Sequence, residues 1–137
     1  MLKVVEPYLS FCGEANEAIE FYEKVFKGQD KKIMRYKDMP ANPEFPIEEA
    51  AKELVLHGEM IIDGTKVNFS DTQSSAIPGN MISLAIQFKT AQEVIDAFNS
   101  LKDGGEVLMK VGPQFFSPMY GWVKDKYGVG WQLIHTK

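Results

Sequence analysis

The chain has 137 residues, of which 45% are hydrophobic and 25% charged, and its net charge is −4. These values fit one globular domain of ordinary size and exclude a collagen-like or charge-rich disordered chain. With Arg35 as the single arginine and acids outnumbering bases 19 to 15, nucleic acid is not an expected partner, because phosphate binding needs clustered cations.

Cys12 is the only cysteine, so no intrachain disulfide and no Cys-rich zinc site can form. Such cysteine usage predicts a reducing, cytoplasmic setting. The opening MLKVVEPYLSF is interrupted by Glu6 and Pro7 too early for a signal peptide, and no run of about 18 apolar residues predicts a membrane span. A lone cysteine in a chain of this size is expected to be buried.

The strand-like opening leads into residues 15–26, ANEAIEFYEKVF, where Ala15, Ala18, Ile19 and Tyr22 recur at i, i+3, i+4 and i+7. That period predicts an amphipathic helix, with Gly28 as its stop. Residues 31–37 read as a strand. Residues 38–51 carry Pro40, Pro43 and Pro46, which deny backbone donors and predict a long irregular loop, either a lid or a surface insertion.

From Glu53 the period becomes two, with Leu54, Leu56 and Met60 on one face and His57 and Glu59 on the other. Asp63-Gly64 then predicts a hairpin into residues 66–70. After a break at 74–80, residues 81–88 form a strand and 91–101, AQEVIDAFNSL, repeat the helix pattern through Ala91, Val94, Ile95 and Phe98. Asp103-Gly104-Gly105 turns the chain toward strands at 106–111, 120–124 and 129–135.

Each half thus reads strand, helix, strand, strand, strand. The predicted architecture is α+β: two tandem βαβββ modules, residues 1–75 and 76–137 of a single domain, forming a curved mixed sheet around a central cleft. His57 and Glu59 would face that cleft as an acid/base pair, while the leucines pack under the helix.

Several strings taken together resemble the vicinal oxygen chelate superfamily, which includes glyoxalase I, bleomycin-resistance proteins and ring-cleaving dioxygenases, and within it the PhnB-like branch. They are Pro7-Tyr8-Leu9, Glu17 to Tyr22, His57-Gly58-Glu59-Met60, Asp63-Gly64, Ser70-Asp71, Tyr120-Gly121-Trp122, Asp125, Tyr127-Gly128-Val129 and Trp131. The resemblance implies paired βαβββ modules, commonly a homodimer, with the site inside the curved sheets. It also implies metal ligands on the first and last strands of each module. Those positions are held here by Pro7, Asn68, Ser83 and Gln132, none of which is a good ligand for a divalent ion. No cofactor or metal is therefore expected, with an unconventional divalent site involving His57 and Glu59 as the alternative.

Chains of this kind are sometimes labelled ubiquinone-pathway methyltransferases, yet the first strand ends in Cys12-Gly13-Glu14 without the Gly-rich turn of a doubly wound nucleotide-binding fold. The expected role is small-molecule binding, with Trp122, Asn68, Ser83 and Gln132 lining the pocket and Arg35 as an anion anchor or an exposed strand residue. The alternatives are a lyase, isomerase or dioxygenase acting on a small oxygenated substrate, and a resistance protein that sequesters a drug.

Overall fold

The computed structural model describes all 137 residues, in two compact units, Met1–Ala76 and Ile77–Lys137. In the first, β1 (Tyr8–Phe11), α1 (Ala15–Phe26), β2 (Gln29–Arg35), β3 (Val55–Ile62) and β4 (Thr65–Asp71) build a sheet in the order β1-β4-β3-β2. In the second, β5 (Leu84–Phe88), α2 (Ala91–Lys102), β6 (Glu106–Gln114), β7 (Ser117–Lys124) and β8 (Gly130–His135) repeat that plan as β5-β8-β7-β6. Each sheet is mixed: β1 lies parallel to β4 and β5 parallel to β8, while the other pairs are antiparallel. The tandem βαβββ architecture read from the duplication is the one observed, with one four-stranded sheet in each unit.

The first helix buries the four residues its period picks out, Ala15, Ala18, Ile19 and Tyr22. The second buries Val94, Ala97, Phe98 and Leu101. Ala91 and Ile95, expected on that stripe, are only half-buried, because the face turned to the sheet lies one position further round the helix. Full burial of a Leu or Phe side chain contributes about 1.5–3 kcal/mol, so these faces fix each helix to its own sheet.

The close approach of helix to sheet rests on one glycine in each unit. A Cβ on Gly58 of β3 would stand 2.8 Å from Ile19 Cδ1, and one on Gly121 of β7 would stand 2.7 Å from Phe98 Cδ2. Glycine removes that clash where the helix crosses the sheet.

Helix ends are completed differently. Thr90 caps α2 through a bond from Glu93 N to its Oγ1 at 3.2 Å. At α1, Glu14 gives no side-chain cap; Asp71 at the end of β4 takes its place, its Oδ1 accepting from Gly13 N at 2.8 Å and Ala15 N at 3.0 Å. At the other end of α1 the left-handed residue is Lys27 (φ 54°), not the expected Gly28. Gly28 instead makes room for the Met60 side chain, whose sulfur a Cβ there would displace.

Three further readings need correction. Cys12 is exposed rather than buried, because it follows β1 on the turn into α1. Leu54 and Leu56 are half-buried, whereas Val55 is fully buried; the register of β2 against β3 shifts between Met34 and Arg35 and turns Val55 inward. Met81 and Ile82 lie outside β5 and are exposed, at 93% and 78%. The Asp63-Gly64 hairpin does form, with φ of 44° and 85° at the two turn residues, as a two-residue loop between twisted strands demands.

The proline-rich segment is pinned at its base. Tyr36 N bonds to Leu54 O and Lys37 N to Lys52 O, both at 3.1 Å, and 3₁₀ turns occupy Tyr36–Asp38 and Glu49–Ala51. No helix is long and apolar enough to cross a membrane.

Candidate functional site

Because Gly58 and Gly121 sit beneath the helices, their neighbours along the strand point to the opposite, helix-free faces. On β3 these are His57 and Glu59; on β7 they are Tyr120 and Trp122. The last strand of each unit sends an amide to the same face: Asn68 stands directly across from Glu59, and Gln132 directly across from Trp122.

The two faces repeat one hydrogen-bonded unit. In the first, Asn68 Oδ1 lies 3.1 Å from His57 Nε2, and Asn68 Nδ2 donates to Glu6 Oε1 at 3.0 Å and to Pro7 O at 3.3 Å. In the second, Tyr120 OH donates to Gln132 Oε1 at 2.7 Å, and Gln132 Nε2 donates to Ser83 Oγ at 3.1 Å. The amide of the final strand thus joins a side chain just before the first strand, Glu6 or Ser83, to the residue before the glycine on the middle strand. Duplication explains the match: Tyr8 pairs with Asn68 as Ala85 pairs with Gln132, so Glu6, rather than Pro7, corresponds to Ser83, as His57 does to Tyr120 and Asn68 to Gln132.

Asn68 lies beside Pro7 in the first unit, and Gln132 beside Ser83 in the second. His57 and Glu59 share a face but are not joined by a hydrogen bond. The Glu59 carboxylate pairs with Lys66 Nζ at 3.2 Å, while the His57 ring lies 6.0 Å from that of Tyr8. The hydrogen bond from Lys66, aided by the charges of Lys66, Lys32 and His57, holds the Glu59 carboxyl below its usual range. Arg35 is engaged locally, through Glu53 O and Asn16 Oδ1, both at 2.8 Å. Trp122 is half-buried and cross-strand from Met109 and Gln132.

Read along the chain, Tyr120 belongs only to a family string and Glu6 is only a near miss at the first-strand ligand position; neither is placed in the site. Tyr120 resembled ordinary aromatic core, and its correspondence to His57 emerges only once Gly58 and Gly121 are matched. Phe116 packs edge-on against its ring at 5.0 Å.

Burial raises the Tyr120 phenol above its ordinary value of about 10. The neutral form is favoured in the fold, so this contribution to stability is fully present below about pH 10 and is lost as pH climbs through the raised folded value. Alkaline titration followed by tyrosinate absorbance should contain a late-ionising component from Tyr120. Tyr120→Phe should reduce the late amplitude by one tyrosine; an unchanged late amplitude would reassign it.

Glu6 and His57, both bonded to Asn68, are the only His, Cys, Asp or Glu side chains in the two amide links. Proline offers no side-chain donor, both amides are engaged by protein groups, and no three His, Cys, Asp or Glu residues are grouped as ligands.

The family model described as 3-demethylubiquinone-9 3-methyltransferase matches residues 3–134. The chain belongs to that family. Its fold is that of the PhnB-like branch of the vicinal oxygen chelate superfamily. A PhnB protein from Bacillus cereus is 28% identical with a TM-score of 0.78, over 98% of this chain and 100% of that one. Protein PA1353 from Pseudomonas aeruginosa is 23% identical with a TM-score of 0.85, over 98% of both chains. Protein YjdN of Escherichia coli is 24% identical over 97% of this chain and 95% of its own. The fold also matches FosX, a fosfomycin resistance protein from Listeria monocytogenes solved with Mn(II), at 12% identity and a TM-score of 0.67, over 100% of this chain and 95% of that one.

Proposed function

We propose that this PhnB-like chain binds a small organic molecule on the helix-free faces of its sheets, without a divalent metal among the anchors. The observation that carries this reading is the amide link repeated in both units, Asn68 with His57 and Gln132 with Tyr120. The two amides are already committed to protein groups, Asn68 to Glu6 and His57, and Gln132 to Ser83 and Tyr120. What the faces offer is an aromatic surface at Trp122 and hydrogen-bonding groups at His57, Asn68, Ser83 and Gln132, the mixture typical of small-molecule sites. Arg35 is an outlying anchor at most, since its guanidinium is engaged by Glu53 and Asn16.

Methyl transfer forms no part of this reading: between the end of β1 at Phe11 and the start of α1 at Ala15 there is one glycine, Gly13, and no glycine-rich turn for a nucleoside cofactor. A homodimer in the cytoplasm completes the proposal. The dimer rests on the superfamily resemblance, and the compartment on a chain with one cysteine and no membrane-length helix.

Metal analysis of protein purified without chelator should find substoichiometric Ni, Zn, Mn and Fe; one equivalent of any of them per chain overturns the metal-free assignment. Binding itself can be read in tryptophan fluorescence, because Trp131 is buried with its indole on Asp125 while Trp122 is half-buried. A library of small oxygenated aromatics should contain compounds that change the Trp122 signal, and Trp122→Ala should weaken them about tenfold, the roughly 1.4 kcal/mol expected of one aromatic contact. Recovery of the compound unchanged separates binding or sequestration from turnover.

A further inference from the structure

The link in the first unit has a fixed direction, which its counterpart in the second does not. Gln132 sits between two hydroxyls, Tyr120 OH and Ser83 Oγ, each of which can donate or accept, so that chain of bonds can reverse. Asn68 has no such freedom. Two of its neighbours, the Glu6 carboxylate oxygen at 3.0 Å and the Pro7 carbonyl at 3.3 Å, are acceptors, so both require the NH₂ end of the amide. Asn68 is buried, and its backbone N also donates to Pro7 O at 3.0 Å, which locks the residue against the segment before β1. Its oxygen must then face His57, and an amide oxygen can only accept. His57 Nε2 therefore carries the proton, and Nδ1 of the neutral ring carries the lone pair.

We infer that Glu6, Pro7 and Asn68 are positioning groups that hold His57 in its Nε2–H form, so that Nδ1 serves as the hydrogen-bond acceptor for a ligand bearing an acidic O–H, such as a phenol or enol. Nδ1 is engaged by no protein group, and the half-buried ring sits on the helix-free face beside the exposed ring of Tyr8. This rests on the small-molecule reading above and sharpens it to a donor ligand at His57. Glu59, directed to Lys66, is not the partner of this histidine.

The chain has only two histidines, and the second is set the opposite way: His135 Nδ1 lies 3.1 Å from Phe88 O, a pure acceptor, so there Nδ1 bears the proton. Long-range ¹⁵N–¹H spectra at about pH 8.5, above the usual imidazole value of about 6.5, should show two neutral rings of opposite tautomer. Asn68→Ala should convert His57 from a single tautomer to a mixture while His135, in the second unit, keeps its pattern, and backbone amide shifts of α1 and β3 that stay dispersed report that the first unit keeps its fold. Glu6→Gln, which retains an acceptor oxygen, should leave His57 unchanged. An Nδ1–H or mixed His57 in the unaltered chain, or one insensitive to Asn68→Ala, would overturn the positioning role, whatever ligand is bound. With phenol as the probe and anisole as its shape-matched control, the Nδ1 resonance should move with phenol alone. Equal movement with both, or none with phenol, overturns the donor-ligand assignment and leaves the tautomer result standing.

Discussion

Asp71→Ala is expected to cost the chain about 3 kcal/mol or more of stability. The Asp71 side chain is among the most deeply buried in the molecule, and its two oxygens take three backbone N–H groups from separate places. Oδ1 accepts from Gly13 and Ala15 at the start of α1, and Oδ2 accepts from Val55 at the start of β3, at 3.0 Å. Alanine leaves all three donors without their acceptor, and each unsatisfied buried donor costs about 1–3 kcal/mol. Against a typical total of 5–15 kcal/mol, that is a large share. Denaturant unfolding should show the midpoint falling sharply with little change in slope. A loss below about 1 kcal/mol would mean that the α1 N-terminus is completed by water instead.

Asp125→Ala should be of similar size in the second unit, by another route. Its Oδ1 accepts from Tyr127 N at 2.9 Å and Val129 N at 3.1 Å, shaping the turn into β8, and its Oδ2 accepts from the buried Trp131 indole at 2.8 Å. Removal frees two turn amides and strands an indole N–H inside the core, again about 3 kcal/mol in total on the same per-donor costs. The variant has an optical signature as well: Trp131 loses its polar partner, so its emission should shift in the native state before any unfolding. An unchanged native spectrum would indicate that the indole keeps a partner without Asp125. Since each aspartate serves its own unit, the double variant should lose close to the sum of the two.

The aspartates also show where reading along the chain stops. Helix periods were legible because burial on one face writes itself locally, and Ala15, Ala18, Ile19 and Tyr22 are the residues α1 buries. The Asp63-Gly64 turn was legible because two positive φ angles restrict residue choice. Asp71, 56 residues from Ala15, could not be recognised as the cap of α1, since a long-range partner leaves no mark at the helix it serves. Cys12 was misread for a related reason: average burial describes a residue type, whereas its actual exposure depends on a turn between β1 and α1.

The candidate site divides along the same line. Alternation placed His57 and Glu59 on one strand face, and the ligand positions implied by the family resemblance brought Asn68, Ser83 and Gln132 into consideration. Pairing His57 with Glu59 was the natural inference from two titratable groups two residues apart, yet Lys66 draws the carboxylate away and Asn68 takes the imidazole.

By itself the sequence determined the duplication, the strand and helix order, the family resemblance and the neutral character of Pro7, Asn68, Ser83 and Gln132, because residue type and spacing are local properties. Only the tertiary structure decided which groups are partners: that each amide bonds the residue beside Gly58 or Gly121, that Glu6 joins Asn68, and that His57 meets Asn68 through its Nε2. Hydrogen bonds choose among all neighbours within about 3 Å, and those neighbours come from strands as far apart in sequence as Glu6 and Asn68.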